Sequence, residues 1–308
     1  MNRARADALL LLIAFIWGTA FVAQKDANEH IGPILFVAIR FVAAALFLLP
    51  WALWEARRSP LALTRADLRG ALWIGLCLCV GCWCQQIGLQ TTTATHAGFL
   101  TAVYIVFVPF VAWCFSGAPP RPLVLLACAV ALYGAWLLCG GAGLDQWTRG
   151  DLLILGGDLV WALHITLVGH ARVAARPMLL SCLQCAITGA LSLPYALVWQ
   201  PSGSAALVAA LPAIAYAGLV SSGFAFTLQI VAQRHTPPAE AALIMALESV
   251  FAALAGAWLL GESMSLAAMI GAALILLGAA LVEVGPVLFQ ALDGARARLA
   301  RAGLRNRG

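Results

Sequence analysis

Ten apolar stretches of about bilayer-spanning length run through almost the whole chain. They cover approximately residues 8–24, 33–54, 68–90, 95–116, 122–140, 151–169, 177–199, 206–231, 237–260 and 265–284. A transmembrane helix needs about 20 mostly apolar residues. The connections are short and rich in Pro, Gly and Ser, and leave no room for a soluble domain. Of the 308 residues, 63% are hydrophobic and 10% are charged, whereas soluble domains carry about 25% charged residues. A single water-soluble core cannot hide that much apolar surface. The expected fold is therefore all-α and integral to the membrane, with ten transmembrane helices.

The cations fix an orientation. With the N-terminus inside, fifteen arginines fall in cytoplasmic segments, among them Arg3, Arg57, Arg65, Arg121, Arg176, Arg234 and five in the tail. The outer loops hold only Lys25 and Arg149, and Arg40 lies inside a span. This bias puts both termini in the cytoplasm and implies an even number of spans. Arg3 and Arg5 before an apolar run also resemble a signal peptide, but the repeat below includes that run, so it is expected to be retained. The basic tail 288–308 is read as a topology signal that can also rest on anionic lipid headgroups. Nothing points to nucleic acid.

Shifted by 144 positions, the sequence falls onto itself. Trp17 meets Trp161, Pro33 meets Pro177, Pro50 meets Pro194, Gly117 meets Gly261 and Gly134 meets Gly278. The register needs no gap. Each copy holds five spans, an odd number, so the second copy must enter the membrane upside down. The basic loop at Arg57–Arg69 has an uncharged counterpart at 201–213, as an inverted copy requires. Two inverted-topology five-helix repeats are expected, residues 1–143 and 144–287, followed by the tail 288–308. Carriers built this way place their sites near mid-membrane between the halves.

Three stretches carry a family resemblance: "IWGTAFVAQKDANEHIGPILFVAIRF", "QQIGLQTTTATHAGFLTAVYIVFVPF" and "PPAEAALIMALESVFAALAGAWLLGE". They resemble the EamA-type permeases of the drug/metabolite transporter superfamily, over both halves from about Ala8 to Gly285. The resemblance implies a carrier of amino acids, amphipathic amines, sugars or other metabolites in a bacterial-type inner membrane. Two positions depart from the pattern: His96, where relatives often carry lysine, and Ser249, where many carry proline or alanine.

Ionisable groups at bilayer depth cost about 2.5–3.5 kcal/mol at a helix centre, and usually face a wet cavity or the bundle interior. Glu248 stands halfway along the ninth span and is expected to load and release a proton, against the plainer reading of a helix-gluing carboxyl. Its repeat mate Tyr104 would bring a hydroxyl to the same region. Arg40 lies about 5 Å outward of midplane at ~1.5 Å per residue, and Asp158 has similar depth. An ion pair between them could open for an anionic group, or be permanent structure. Trp17 and Trp161, mid-span mates, suggest aromatic cavity walls suited to apolar or cationic cargo, or simple packing. His164, His96 and Gln85 are further pathway candidates, His164 as an aid to proton transfer. Of Gln85 and Gln86, about 100° apart on a helix, one is expected to face the cavity.

Nine cysteines lie in or beside apolar segments. The run Cys77–Cys84 splits over two helix faces, which suits small hydrophobes better than a metal set. No metal or cofactor is expected. Small residues on spans five and ten, including Gly134, Gly271 and Gly278, make scaffold or homodimer faces. No HExxH, G-x-S-x-G or P-loop occurs, so neither an enzyme nor an ATP-driven pump is expected. The function expected is secondary transport of a small-molecule substrate, with membrane lipid as solvent and export in exchange for protons. Uptake or lipid-linked flipping on the same scaffold is the alternative.

Overall fold

The computed structural model describes residues 1–59, 62–138, 148–263 and 265–281, and every regular element among them is helical. Cys139, Gly141, Gly285, both expected segment boundaries and the basic tail lie outside the described residues. Eight helical runs are long and apolar enough to cross a membrane: Arg3–His30, Pro33–Arg58, Arg65–Gly88, Ala94–Ser116, Arg149–His170, Pro177–Trp199, Leu211–Gln233 and Pro238–Leu259. Two shorter apolar helices, Pro122–Leu138 and Leu266–Leu281, occupy the fifth and tenth expected spans. The chain is thus a multi-pass membrane protein. Helices predominate because in lipid each must satisfy its own backbone N–H and C=O groups.

The first three helices are α1 (Arg3–His30), α2 (Pro33–Arg58) and α3 (Arg65–Gly88). Pro33 starts α2 and Pro177 starts its counterpart α8 (Pro177–Trp199), where a missing N–H costs nothing. Thr64 opens α3 with a reciprocal capping box to Asp67, and Thr148 does the same with Asp151 for α7 (Arg149–His170).

The fourth span is broken into α4 (Ala94–Ala102) and α5 (Tyr104–Ser116), jointed at Val103. Pro109 inside α5 offers no N–H to the Ile105 carbonyl. The Cys128 thiol, from α6 (Pro122–Leu138), donates to that carbonyl at 3.3 Å.

The eighth span runs through two short helices, α9 (Ser204–Ala209) and α10 (Leu211–Ala215), then a π-helical stretch Tyr216–Ala225, then α11 (Phe226–Gln233). π-helix normally occurs as single-turn bulges, often at functional sites; here it lasts 10 residues.

The ninth span breaks between α12 (Pro238–Met245) and α13 (Glu248–Leu259). No proline causes this joint. At the joint the Ala246 carbonyl accepts both the Ser249 N–H at 3.1 Å and the Ser249 hydroxyl at 2.7 Å, a side-chain bond into the helix ladder of the kind that accompanies a kink. Serine at this position therefore coexists with an interrupted helix. Leu266–Leu281 is α14.

α2 packs against α8, and α3 against α7. α1 lies against α13, α11 and the π-stretch. α6 and α14 meet through glycine: a Cβ on Gly134 would come within 2.6 Å of the Gly271 carbonyl. The small-residue faces of the fifth and tenth spans thus pack on one another within the chain. Gly117 and Gly261, repeat mates, end α5 and α13 with φ of 70° and 69°. Only glycine takes that conformation without strain.

One end of the bundle is tied by charge. Arg3 pairs with Glu240 at 2.5 Å and with Asp7 at 3.3 Å, and Arg121 approaches Glu240 at 3.8 Å. Thr236 donates to Asp7 at 2.8 Å. At the other end Lys25 donates to the carbonyls of Leu89 and Thr92, both at 2.8 Å.

Candidate functional site

A cavity lies among α1, α2, α3, the α4–α5 joint, α7, the π-stretch, α11 and α13. Its walls are built largely from repeat mates. Trp17 and Trp161 both line it, as do Tyr104 and Glu248, and Gln85 and Gln229. So do Phe21 with Ile165, and Cys82 with Phe226. All five pairs are 144 positions apart. The remaining walls come from Gln24, Arg40, Thr101, Ser221 and Ser222. The cavity volume is about 40 Å³, room for about three waters.

The aromatic side is continuous. Phe226 lies 4.9 Å from Trp17 and 6.4 Å from Trp161, almost parallel to the latter at 8°. The Trp17 indole N–H donates to the Ser221 carbonyl in the π-stretch at 3.2 Å. An indole mid-membrane needs such an acceptor, and the π-stretch supplies it beside the cavity.

Glu248 is the first residue of α13, and Tyr104 the first of α5. Each therefore sits where a helix is interrupted and backbone dipoles end. The Tyr104 phenol lies beside the Glu248 carboxyl. The contact is looser than a hydrogen bond, since neither the Tyr104 oxygen nor Glu248 Oε1 has a hydrogen-bond partner. Glu248 is 3% exposed.

Asp158 on α7 is wholly buried and does not line the cavity. Neither of its oxygens has a hydrogen-bond partner. Its electrostatic neighbour is Glu248, and it also acts on Tyr104. The ion pair with Arg40 expected from depth does not form among the described residues. Helix packing explains this. Arg40 is on α2, against α8 and the π-stretch, whereas α7 packs on α3, α4 and α5. Arg40 instead meets the thiols of Cys82 and Cys185 and the rings of Phe36 and Phe41, 5.2 and 4.9 Å from its guanidinium carbon.

His164 stands behind the aromatic wall rather than in it. It meets Trp161 and Phe226 edge-on at 5.7 and 5.9 Å, and its Nε2 is 3.0 Å from Gln184 Oε1. His96 is half-buried near the start of α4, away from the cavity. Of the adjacent glutamines, Gln85 lines the cavity and donates to Thr101 at 3.1 Å. Gln86 turns away to bridge α3 to α1, donating to the Gln24 carbonyl and Asn28. Cys82 is the member of the cysteine run that reaches the cavity.

Among the lining residues absent from the sequence candidates are Phe226, Gln229, Ser221 and Ser222. Gln229 was reachable, as the repeat mate of Gln85. So was Phe226, as the mate of Cys82. The serines reach the cavity through the π-stretch, for which periodicity gives no signal.

The chain matches the model of the EamA-like transporter family twice, over residues 4–140 and 148–284. It is 30% identical over 284 residues to an uncharacterized transporter of Archaeoglobus fulgidus, covering 92% of this chain and 87% of that protein. It is 29% identical over 294 residues to the uncharacterized inner membrane transporter YedA of Escherichia coli K12, covering 92% of each. A solved crystal structure of 20% identity superposes with a TM-score of 0.71, covering 95% of this chain and 100% of the other. That last likeness bears on the fold alone.

Proposed function

This chain belongs to the EamA-like transporter family, and on that premise we propose that it is a proton-coupled secondary carrier that exports small organic metabolites, amino acids or amphipathic amines, by alternating access. The observation that carries the proposal is the convergence of five pairs of repeat mates on one buried cavity. Such pairing is what two inverted copies enclosing a shared site would produce. The double family match and the matched helix breaks at Tyr104 and Glu248 support the same architecture. In it, residues 1–143 and 144–287 are the two halves, ten spans cross the membrane, and both termini and the tail 288–308 face the cytoplasm.

Two similar halves can exchange conformations, so that the cavity opens to one side and then the other. Glu248 binds a proton from one side and gives it up to the other. Asp158, buried behind it with no cationic partner among the described residues, opposes a second charge in the pair of carboxyls by like-charge repulsion. Tyr104 offers a hydroxyl to the Glu248 carboxylate once it is ionised. Trp17, Trp161 and Phe226 hold the apolar part of the cargo, and Gln85 and Gln229 its polar groups.

Reconstitution tests this. A panel of amino acids and aromatic amines is screened for flux driven by an imposed proton gradient, with wild type and Glu248→Gln. Wild type is expected to respond to the gradient, and Glu248→Gln to retain exchange of cargo for cargo while losing that response. Gradient-driven flux that survives the substitution unchanged removes Glu248 from the coupling step.

A further inference from the structure

Arg40 is a cation at the cavity wall, 3% exposed. A guanidinium cannot shed its proton in a protein, and burying it without an ionic partner is costly. Yet no carboxylate partners it among the described residues. Its ionisable neighbours are the thiols of Cys82 and Cys185, and its Nε has no hydrogen-bond partner. The rings of Phe36 and Phe41 favour the cation but accept no hydrogen bond in the guanidinium plane.

The buried carboxyls nearest the cavity's other wall are those of Glu248 and Asp158. Glu248 acts electrostatically on Asp158, on the side of the cavity formed by α5, α7 and α13. The charges of the site are thus segregated: one unpaired cation on α2, two carboxyls together on the other side. Trp17, Phe226 and Trp161 form an aromatic surface along the same cavity.

We propose that Arg40 is the oxyanion receptor of this cavity, and that the cargo bears a carboxylate that lies on Arg40 while its apolar body lies against Trp17, Phe226 and Trp161. The proposal rests on the carrier function of the same cavity and narrows its cargo from amines to carboxylates, zwitterions included. The planar guanidinium fork matches a carboxylate with two parallel hydrogen bonds. A single arginine matches one negative charge, which suits a carboxylate better than a dianionic phosphate. In a zwitterion the ammonium group falls toward Glu248, so binding cargo and binding a proton both act on that carboxyl.

The test uses purified full-length protein in detergent. Binding is read by tryptophan fluorescence and thermal stabilisation. The probes are phenylacetate, L-phenylalanine, phenylacetamide and phenethylamine. The two carboxylates are expected to bind wild type at least about tenfold more tightly than the amide and the amine, since a charge-assisted bond is replaced by a weaker one. Arg40→Gln is expected to erase that preference. Arg40→Lys keeps the charge but loses the fork, and is expected to reduce the preference several-fold, which serves as the test if Arg40→Gln does not fold.

Equal binding of acid and amide, absence of carboxylate binding, or a preference unchanged by the Arg40 substitutions overturns the proposal. Detergent binding needs no gradient, so the two claims fail separately. Carboxylate binding that depends on Arg40 without any flux from wild type in liposomes contradicts the carrier. Gradient-driven flux of amines alone contradicts the receptor.

Discussion

Tyr104 and Glu248, 144 positions apart, each begin the second half of an interrupted helix, and their side chains lie against one another at the cavity. Neither the Tyr104 hydroxyl nor Glu248 Oε1 has a hydrogen-bond partner. The phenol is therefore placed to donate to Glu248 whenever that carboxyl is ionised. Tyr104→Phe removes that donor and little volume. It is expected to slow gradient-driven flux several-fold in liposomes while leaving cargo exchange and the melting temperature near wild type. A melting temperature that falls along with flux marks Tyr104 as packing instead.

Gly18 holds α1 against α13. A Cβ there would come within 2.5 Å of both the Glu248 carbonyl and the Phe251 Cβ, and within 2.8 Å of the Ala252 nitrogen. Backbone cannot yield as a flexible side chain can. Gly18→Ala is expected to destabilise by about 1–3 kcal/mol, read as a lowered melting temperature in detergent, and to weaken transport because the Glu248 segment is displaced.

Gly134 and Gly271 make the same kind of contact between α6 and α14, neither of which lines the cavity. Gly134→Leu is expected to lower thermal stability without altering the oligomeric state measured by size-exclusion light scattering. A change of oligomeric state at unchanged stability assigns this face to association between chains.

Arg3 on α1 reaches Glu240 on α12, and Arg121 approaches the same carboxylate. These pairs tie α1, α12 and the segment before α6 together at one end of the bundle. Arg3 is 41% and Glu240 7% exposed, so their coupling is screened and worth about 1 kcal/mol at most. That amounts to a shift of about fivefold in a two-state population. Glu240→Gln is expected to raise the rate at which an impermeant reagent reaches the cavity from that end by up to this factor. Lys25→Met, which frees the carbonyls of Leu89 and Thr92 at the opposite end, is expected to raise it from the other side.

The fold was legible in the sequence where one dimension suffices. Apolar length places the spans, Pro33 and Pro177 mark helix starts, and the offset of 144 foretells that Gly117 and Gly261 share a left-handed conformation. Depth along a span was readable too, which is why Trp17, Arg40, Gln85, Tyr104, Trp161 and Glu248 reach the cavity. Direction around the helix axis was not. Asp158 has the depth of Arg40 but sits on a helix that packs elsewhere, and so meets Glu248 instead. His164 has the depth of the cavity but lies behind Trp161. The π-stretch has no sequence signature of its own: the two glycines and two serines of "YAGLVSSGFA" weaken a helix without specifying a π-turn. It is a tertiary outcome that turns Ser221 and Ser222 inward. The break before Glu248 likewise arises without a proline, at a joint where the Ser249 hydroxyl bonds the Ala246 carbonyl.

Alternating access of the cavity can be measured at Ser222, whose hydroxyl lines it without a hydrogen-bond partner. Ser222→Cys changes one atom. In reconstituted vesicles of known orientation, a small impermeant thiosulfonate is added from one side or the other, and modification at position 222 is quantified by mass spectrometry. Labelling from each side in turn is expected, with the balance between sides shifted by the proton gradient and with that shift lost in the added presence of Glu248→Gln. Labelling confined to one side under every gradient contradicts a carrier that works by exposing one site to both faces of the membrane.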